Sequence, residues 1–265
     1  LVAIEALAPL APLHQLQSLR LIHAVRHAAP ALPQSASFDT AFHRSQSAAS
    51  RRYALPRALF DQGIKRYGFH GLSYKFIASQ LRQQHPGIAA GRVVVAHLGS
   101  GASLCGLLHG TSRETSMGFS TLDGIPMATR SGALDPGVLL YLLKQPGQSI
   151  DTVEDMLYHR SGLLGLSGVS GDVRKLLTSD APEAREALAL YALRIAREVA
   201  AIATTLGGLD ALVFTAGIGE NQPAVRDAVC LHLAWLGVAP DPAASQVAVF
   251  VMYTDEEQVI AERRE

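Results

Sequence analysis

The chain has 265 residues, 48% of them hydrophobic, with a mean hydropathy of +0.18, enough to core one large domain or two modest ones. Lys+Arg and Asp+Glu both number 23, so the formal charge is zero and no global field attracts nucleic acid or an anionic membrane. No run of eighteen residues is free of charges or turn breakers, so no membrane span is predicted. Cys105 and Cys230 lie in apolar segments and read as buried thiols of a reducing, cytoplasmic setting. No secretory leader is read at the start, and because the chain opens on Leu1 a further segment upstream is expected.

Helical spacing is predicted between Leu13 and Ala29, then a turn, a short strand and a loop over 31–43. Residues 51–60 start basic and break at Pro56. Residues 68–85 read as a turn opening into an amphipathic helix with Phe76, Ile77 and Leu81 on one side. Residues 91–110 read as a β-hairpin about Gly99-Ser100-Gly101. Helices follow over 135–145, with Pro136 in the first turn, and over 149–165, ending at Gly162. The clearest helix spans 180–208, opened near Pro182 and closed by Gly207-Gly208. Residues 209–237 read as strand, glycine turn and helix, 246–252 as a last strand and 255–265 as a last helix. A hairpin followed by strand–helix units predicts a mixed α/β sheet with helices on its faces.

Several segments carry possible chemistry. HLGSG (97–101) can aim backbone N–H groups at a phosphate, with His97 adding a donor or a positive charge, or be an ordinary hairpin turn. GIGEN (217–221) follows a strand but is neither the G-x-G-x-x-G fingerprint nor a Walker loop; it can hold an anion or a polar ring, or simply turn the chain. Arg130, in MATRSG, offers a planar fork of donors to carboxylate or phosphate, with Ser131 and Gly132 letting a ligand come close; the alternative is an ion pair with Asp135 or Asp123. Asp172 can cap a helix or hold a ligand hydroxyl. His70 and Asp39, each beside a phenylalanine, read as core residues or as site residues.

The order of these signals carries a resemblance. LAPLAPLH (7–14), FDTAFH (38–43), YALP (53–56), RYGFHGLS (66–73), VAHLGSGASL (95–104), the 115–137 segment, SGLLGLSG (161–168), GLDALVFTAGIGEN (208–221) and TDEE (254–257) together resemble the acetate kinase family, which includes propionate kinases. The resemblance spreads over nearly the whole chain. It implies an actin/hexokinase-type (ribonuclease H-like) α/β fold in two domains, and transfer of the γ-phosphoryl of ATP to a short carboxylate with Mg²⁺. It also implies site roles. His97, Leu98, Gly99, Ser100 and Gly101 would hold phosphates. Asp172, Val173 and Arg174 would lie along the nucleoside, and Gly217, Ile218, Gly219, Glu220 and Asn221 would hold the adenosine. Asp39, His70 and Arg130 would face the transferred phosphoryl group, Phe69 and Thr121 would wall the acyl pocket, and Glu256 would stand near the metal.

The resemblance further implies that residues 1–42 are a remnant of the first domain, 43–252 the nucleotide-binding second domain and 253–265 a helix packing back on the first. The family's opening N-A-G-S-S-S-x-K loop, and a later Arg that pairs with the carboxylate, are not found in these residues. Ser100 stands where acetate kinases commonly show Asn, Tyr74 where they show His, and Thr121 where Pro or Ala is usual; residues 43–51 diverge, and the chain is shorter between Ser245 and Gln246. Two readings follow: a kinase whose full chain supplies the rest, or an inactive nucleotide-binding or partner-binding homologue. A homodimer is the family expectation.

Overall fold

The computed structural model describes residues 2–5 and 12–262, in two compact units, Leu1–Ser37 and Phe38–Glu265. Of LAPLAPLH, residues 7–11 lie outside the described residues, as do 263–265 of the last helix. The first unit holds a short helix, Val2–Glu5, and the predicted helix, Pro12–Ala28.

The second unit is built on one mixed sheet: β1 (Arg92–Leu98), β2 (Ala102–Leu108), β3 (Thr111–Thr115), β4 (Ala211–Thr215) and β5 (Ala248–Val251), in the order β3-β2-β1-β4-β5. β1–β2 and β2–β3 are antiparallel, whereas β1–β4 and β4–β5 are parallel. The near-continuous apolar runs of β1 and β4 follow from burial on both faces. Val94, Ala96, Leu98, Leu212 and Phe214 point to a core formed with the helix Pro182–Leu206. Their neighbours Val93, Val95, Ala211 and Val213 point to a second core under the helix Gly71–Gln84, which supplies Phe76, Ile77 and Leu81. Burying each Val, Leu, Ile or Phe side chain among these contributes about 1.5–3 kcal/mol.

Pro182 starts the long helix and Gly207, at φ +74°, ends it, as its sequence predicts. Its Ile202 lies so close to the sheet that a Cβ on Gly106 would stand 2.5 Å from the Ile202 Cγ2. Both cysteines are buried free thiols, with Cys105 pushed up to about 12 and Cys230 to about 11, in each case chiefly by burial. No helix among the described residues is long and apolar enough to cross a membrane.

Three local expectations are corrected. No strand forms within 31–43; Asp39–Ser45 is instead a 3-10 helix. Gly162 does not end the helix over 149–165: that helix is Ile150–His159, and Gly162, at φ +60°, begins the next, Gly162–Ser167. GIGEN is not a turn between strand and helix but lies inside a short helix, Ala216–Asn221, entered from β4 through Ala216 at φ +64°.

Candidate active site

Parallel pairing of β1 and β4 puts the ends of these strands side by side, His97 opposite Thr215. The chain leaves β1 through the tight turn Gly99–Gly101, where Gly99 N–H donates to the Gly101 carbonyl, and leaves β4 into Ala216–Asn221. Beside these exits opens a cleft of about 570 Å³, the size of a small-molecule site. Its walls come from segments far apart in the chain: Gly99 and Ser100; Ala128 and Gly171; Asp172, Val173 and Arg174; Gly217, Ile218 and Asn221 with Gln222.

Not every residue in these segments reaches the cleft. Leu98 is wholly buried. Gly219 is buried against Phe214, and Glu220 turns back so that its Oε1 accepts from Ala216 N–H at 2.8 Å, holding the helix start. Asp172 does cap a helix: its Oδ1 accepts from Arg174 N–H at 2.9 Å, while the exposed Arg174 guanidinium pairs with Oδ2 at 2.7 Å. That guanidinium holds the Asp172 carboxyl below its ordinary range. Ala128, Gly171 and Gln222 complete the lining, and as small or neutral loop residues they carry no signal of their own in the sequence.

A second group gathers behind Gly101. A Cβ built on Gly101 would stand 3.5 Å from His70 Nε2 and 3.6 Å from Arg130 Nη1. The two donors therefore converge on the phosphate-type turn. Arg130 is held by a loop in which Met127 N–H donates to the Arg130 carbonyl, and the loop rests on Gly162, where a Cβ would collide with Met127 and Arg130 backbone. Gly132 does not open space for a ligand: its missing side chain lets it lie on the Gly124–Ile125 backbone.

Arg130 Nη1 donates to the Thr121 carbonyl at 3.4 Å, and the guanidinium makes no ion pair among the described residues. Asp123 pairs with Arg66 at 3.2 Å, and Asp135 caps Pro136–Leu143 through Gly137 N–H. Burial pulls the Arg130 guanidinium down from its ordinary value, yet arginine stays charged. A half-buried cation without a carboxylate is a costly arrangement that an anionic ligand relieves.

His70, Phe69 and Asp39 meet at the start of the helix Gly71–Gln84. His70 caps it in a left-handed conformation, φ +54°, and Asp39 Oδ1 accepts from Leu72 N–H at 3.2 Å. Gly71 permits this, since a Cβ there would stand 1.8 Å from the Asp39 carbonyl oxygen. Phe69 packs at the edge of the larger core, and its carbonyl accepts from His43 Nε2–H at 2.9 Å. Burial lowers His43 to about 4, so it is neutral, with Nδ1 accepting from the Ser112 hydroxyl.

His97 does not bring positive charge. Burial first, and the neighbouring His70 second, lower it to about 3, so it enters the site neutral. Its Nδ1 meets the Ser73 hydroxyl at 2.9 Å, and Ser73 meets Thr254 at 2.8 Å, which ties the TDEE segment to the end of β1. Glu256 begins the helix Glu256–Ala261, which packs on Gly71–Gln84. Its carboxyl is raised by burial and then by the charge of Asp39. Two carboxylates in one field suit a divalent cation. No cluster of three or more His, Cys, Asp or Glu fit for a metal exists among the described residues.

The acetokinase family model matches residues 1–262. The chain is 49% identical over 274 residues to the acetate kinase of Rhodopseudomonas palustris and 50% identical over 273 to that of Rhizobium meliloti; each match covers 98% of this chain and 68% of the relative. Among solved structures it is similar to a propionate kinase from Francisella tularensis (TM-score 0.91, 36% identity, 98% of this chain and 71% of that one). It is also similar to Porphyromonas gingivalis acetate kinase (TM-score 0.88, 35% identity, 98% and 70%). The sheet and its flanking helices thus have the actin/hexokinase-type architecture.

Proposed function

This chain belongs to the acetokinase family, and from that premise we propose that it transfers the γ-phosphoryl group of ATP to a short carboxylate, acetate or propionate, giving an acyl phosphate and ADP. The observation that carries the assignment of chemistry to residues is Arg130, a half-buried cation without a carboxylate, meeting His70 Nε2 over Gly101.

In-line transfer passes through a loose transition state with charge on three equatorial oxygens. Arg130 and His70 donate to those oxygens, and the Gly99–Gly101 turn, closed by Gly99 N–H on the Gly101 carbonyl, presents its Ser100 and Gly101 N–H groups to the phosphates. The acceptor carboxylate is already a nucleophile, so no strong base is needed. Asp39 and Glu256 offer hard oxygens to a Mg²⁺ shared with the phosphates, which when bound would neutralise their charge. The nucleoside lies along Asp172–Arg174 against Gly217–Asn221. Phe69 and Thr121 bound the acyl group, so chain length is discriminated by volume. In the same reading, residues 1–42 belong to the first of two domains and 43–252 form the nucleotide-binding domain, on whose helix Gly71–Gln84 the helix Glu256–Ala261 packs. The exposed Leu140 and Tyr141 on Pro136–Leu143 support a homodimer, and the two buried thiols suit the cytoplasm.

Acyl-hydroxamate formation from acetate, ATP and Mg²⁺ by the folded chain is the expected result. A folded sample giving no product above background overturns the enzyme reading for this chain. The second reading, nucleotide binding without turnover, is favoured by one observation: every wall of the 570 Å³ cleft lies within residues 38–265. It predicts calorimetric ATP binding that Gly217→Trp, at a cleft-lining position with open space around it, abolishes; equal binding by both proteins removes the assignment of GIGEN.

A further inference from the structure

His70 and His97 lie ring on ring in the site, centroids 4.2 Å apart and planes within 17°. His70 Nδ1 is 2.8 Å from the Ser103 hydroxyl oxygen. A ring nitrogen can donate or accept, so this contact alone does not say where the proton sits. The next member of the chain does. Tyr74 lies one helical turn beyond His70, wholly buried, and its hydroxyl meets the same Ser103 oxygen.

Burial pushes the Tyr74 phenol well above its ordinary value, so it keeps its proton. Ser103 Oγ is the one acceptor hydrogen-bonded to that proton among the described residues, and a buried O–H left unpaired is costly. Tyr74 therefore donates to Ser103. The Ser103 proton then has His70 Nδ1 as its remaining partner, and Nδ1 must accept. The ring is left neutral with its proton on Nε2, the atom that faces Gly101 beside Arg130. The opposite arrangement, with Nδ1–H donating to Ser103, leaves one hydroxyl proton of the pair without an acceptor.

We propose that Tyr74 and Ser103 are positioning residues that hold His70 as its neutral Nε2–H tautomer, so that it meets the transferring phosphoryl group as a hydrogen-bond donor. This rests on the phosphoryl-facing role given to His70 above. The residues act through His70 and touch no substrate themselves.

The test uses the full chain with ¹⁵N-labelled histidine, whose ring spectra report which nitrogen carries the proton. His70 is expected to carry it on Nε2, and ATP with Mg²⁺ is expected to shift that N–H. Tyr74→Phe, which removes one oxygen and keeps the packing, is expected to give a mixture of tautomers. Its kcat for acyl-phosphate formation should fall roughly tenfold with KM for ATP changed less than about twofold. Ser103→Thr, which keeps a hydroxyl, should hold the wild-type tautomer. A wild-type proton on Nδ1, or a Tyr74→Phe spectrum identical to wild type, overturns the proposal whether or not the chain turns over. A confirmed lock whose Nε2–H ignores ATP overturns the phosphoryl contact instead, and an inactive chain with the lock and the shift intact removes only the enzyme reading.

Discussion

His43 makes the acid stability of this protein calculable. Its ring is buried between Phe69 and Ser112 and is lowered to about 4, against an ordinary 6.5 in the unfolded chain. The unfolded state therefore binds the proton first. Stability is fully present above about pH 6.5 and is lost as the pH falls toward the folded value. At pH 5 the unfolded ring is almost wholly protonated and the folded ring largely is not, a difference of about 2 kcal/mol. His97, lowered to about 3, adds a loss of about 2 kcal/mol over the same interval. Urea unfolding at pH 7 and pH 5 measures the sum. In His43→Gln, whose amide can still donate to the Phe69 carbonyl, the loss between the two pH values should shrink by about 2 kcal/mol, while carboxylates common to both proteins cancel. An unchanged pH dependence in His43→Gln would refute the reasoning, since the ring would then titrate alike folded and unfolded.

Arg130→Met keeps the packed stem and removes a cation that has no carboxylate partner: kcat in the hydroxamate assay should fall about 10²–10³-fold, with unfolding free energy unchanged or raised. Stability lost with activity kept would reverse the role given to this residue. Gly71→Ala forces the Asp39 backbone away from the helix start; urea denaturation should show a loss of about 1–3 kcal/mol, with a higher Mg²⁺ requirement in any remaining turnover. Asp172→Ala removes the helix cap at the cleft wall, so calorimetry should give an ATP Kd raised roughly three- to tenfold, with Tm lowered by about 2–4 °C.

The elements most legible in sequence are those in which one local rule suffices. The helix Pro182–Leu206 declares itself by Pro182, Gly207 and its Ala/Leu spacing, and β1, β2 and β4 by short apolar runs between turns. β3 is not legible: TSRET has no apolar alternation and is a strand because β2 pairs with it. The strand expected within 31–43 fails for the converse reason, having no neighbouring strand to pair with among the described residues. In the site, the glycine turns and Arg130 stand out because their chemistry is unusual where they occur. The serines that orient the histidines do not. Ser73 meets Thr254 from 181 residues away, and no spacing rule reaches that far. His97 shows a related limit, for its charge state is set by burial that only the packed sheet supplies.

The register that sets His97 opposite Thr215 has a consequence for how such a site can diversify. The two ligand-facing exits start from adjacent strands, and neighbouring strands keep a separation of about 4.8 Å. That spacing is a gauge cut into the backbone. Substitution can change what hangs from either side without resetting it. The tolerance of the site is thus inherited from the length of a peptide hydrogen bond, while its vocabulary is left to the loops.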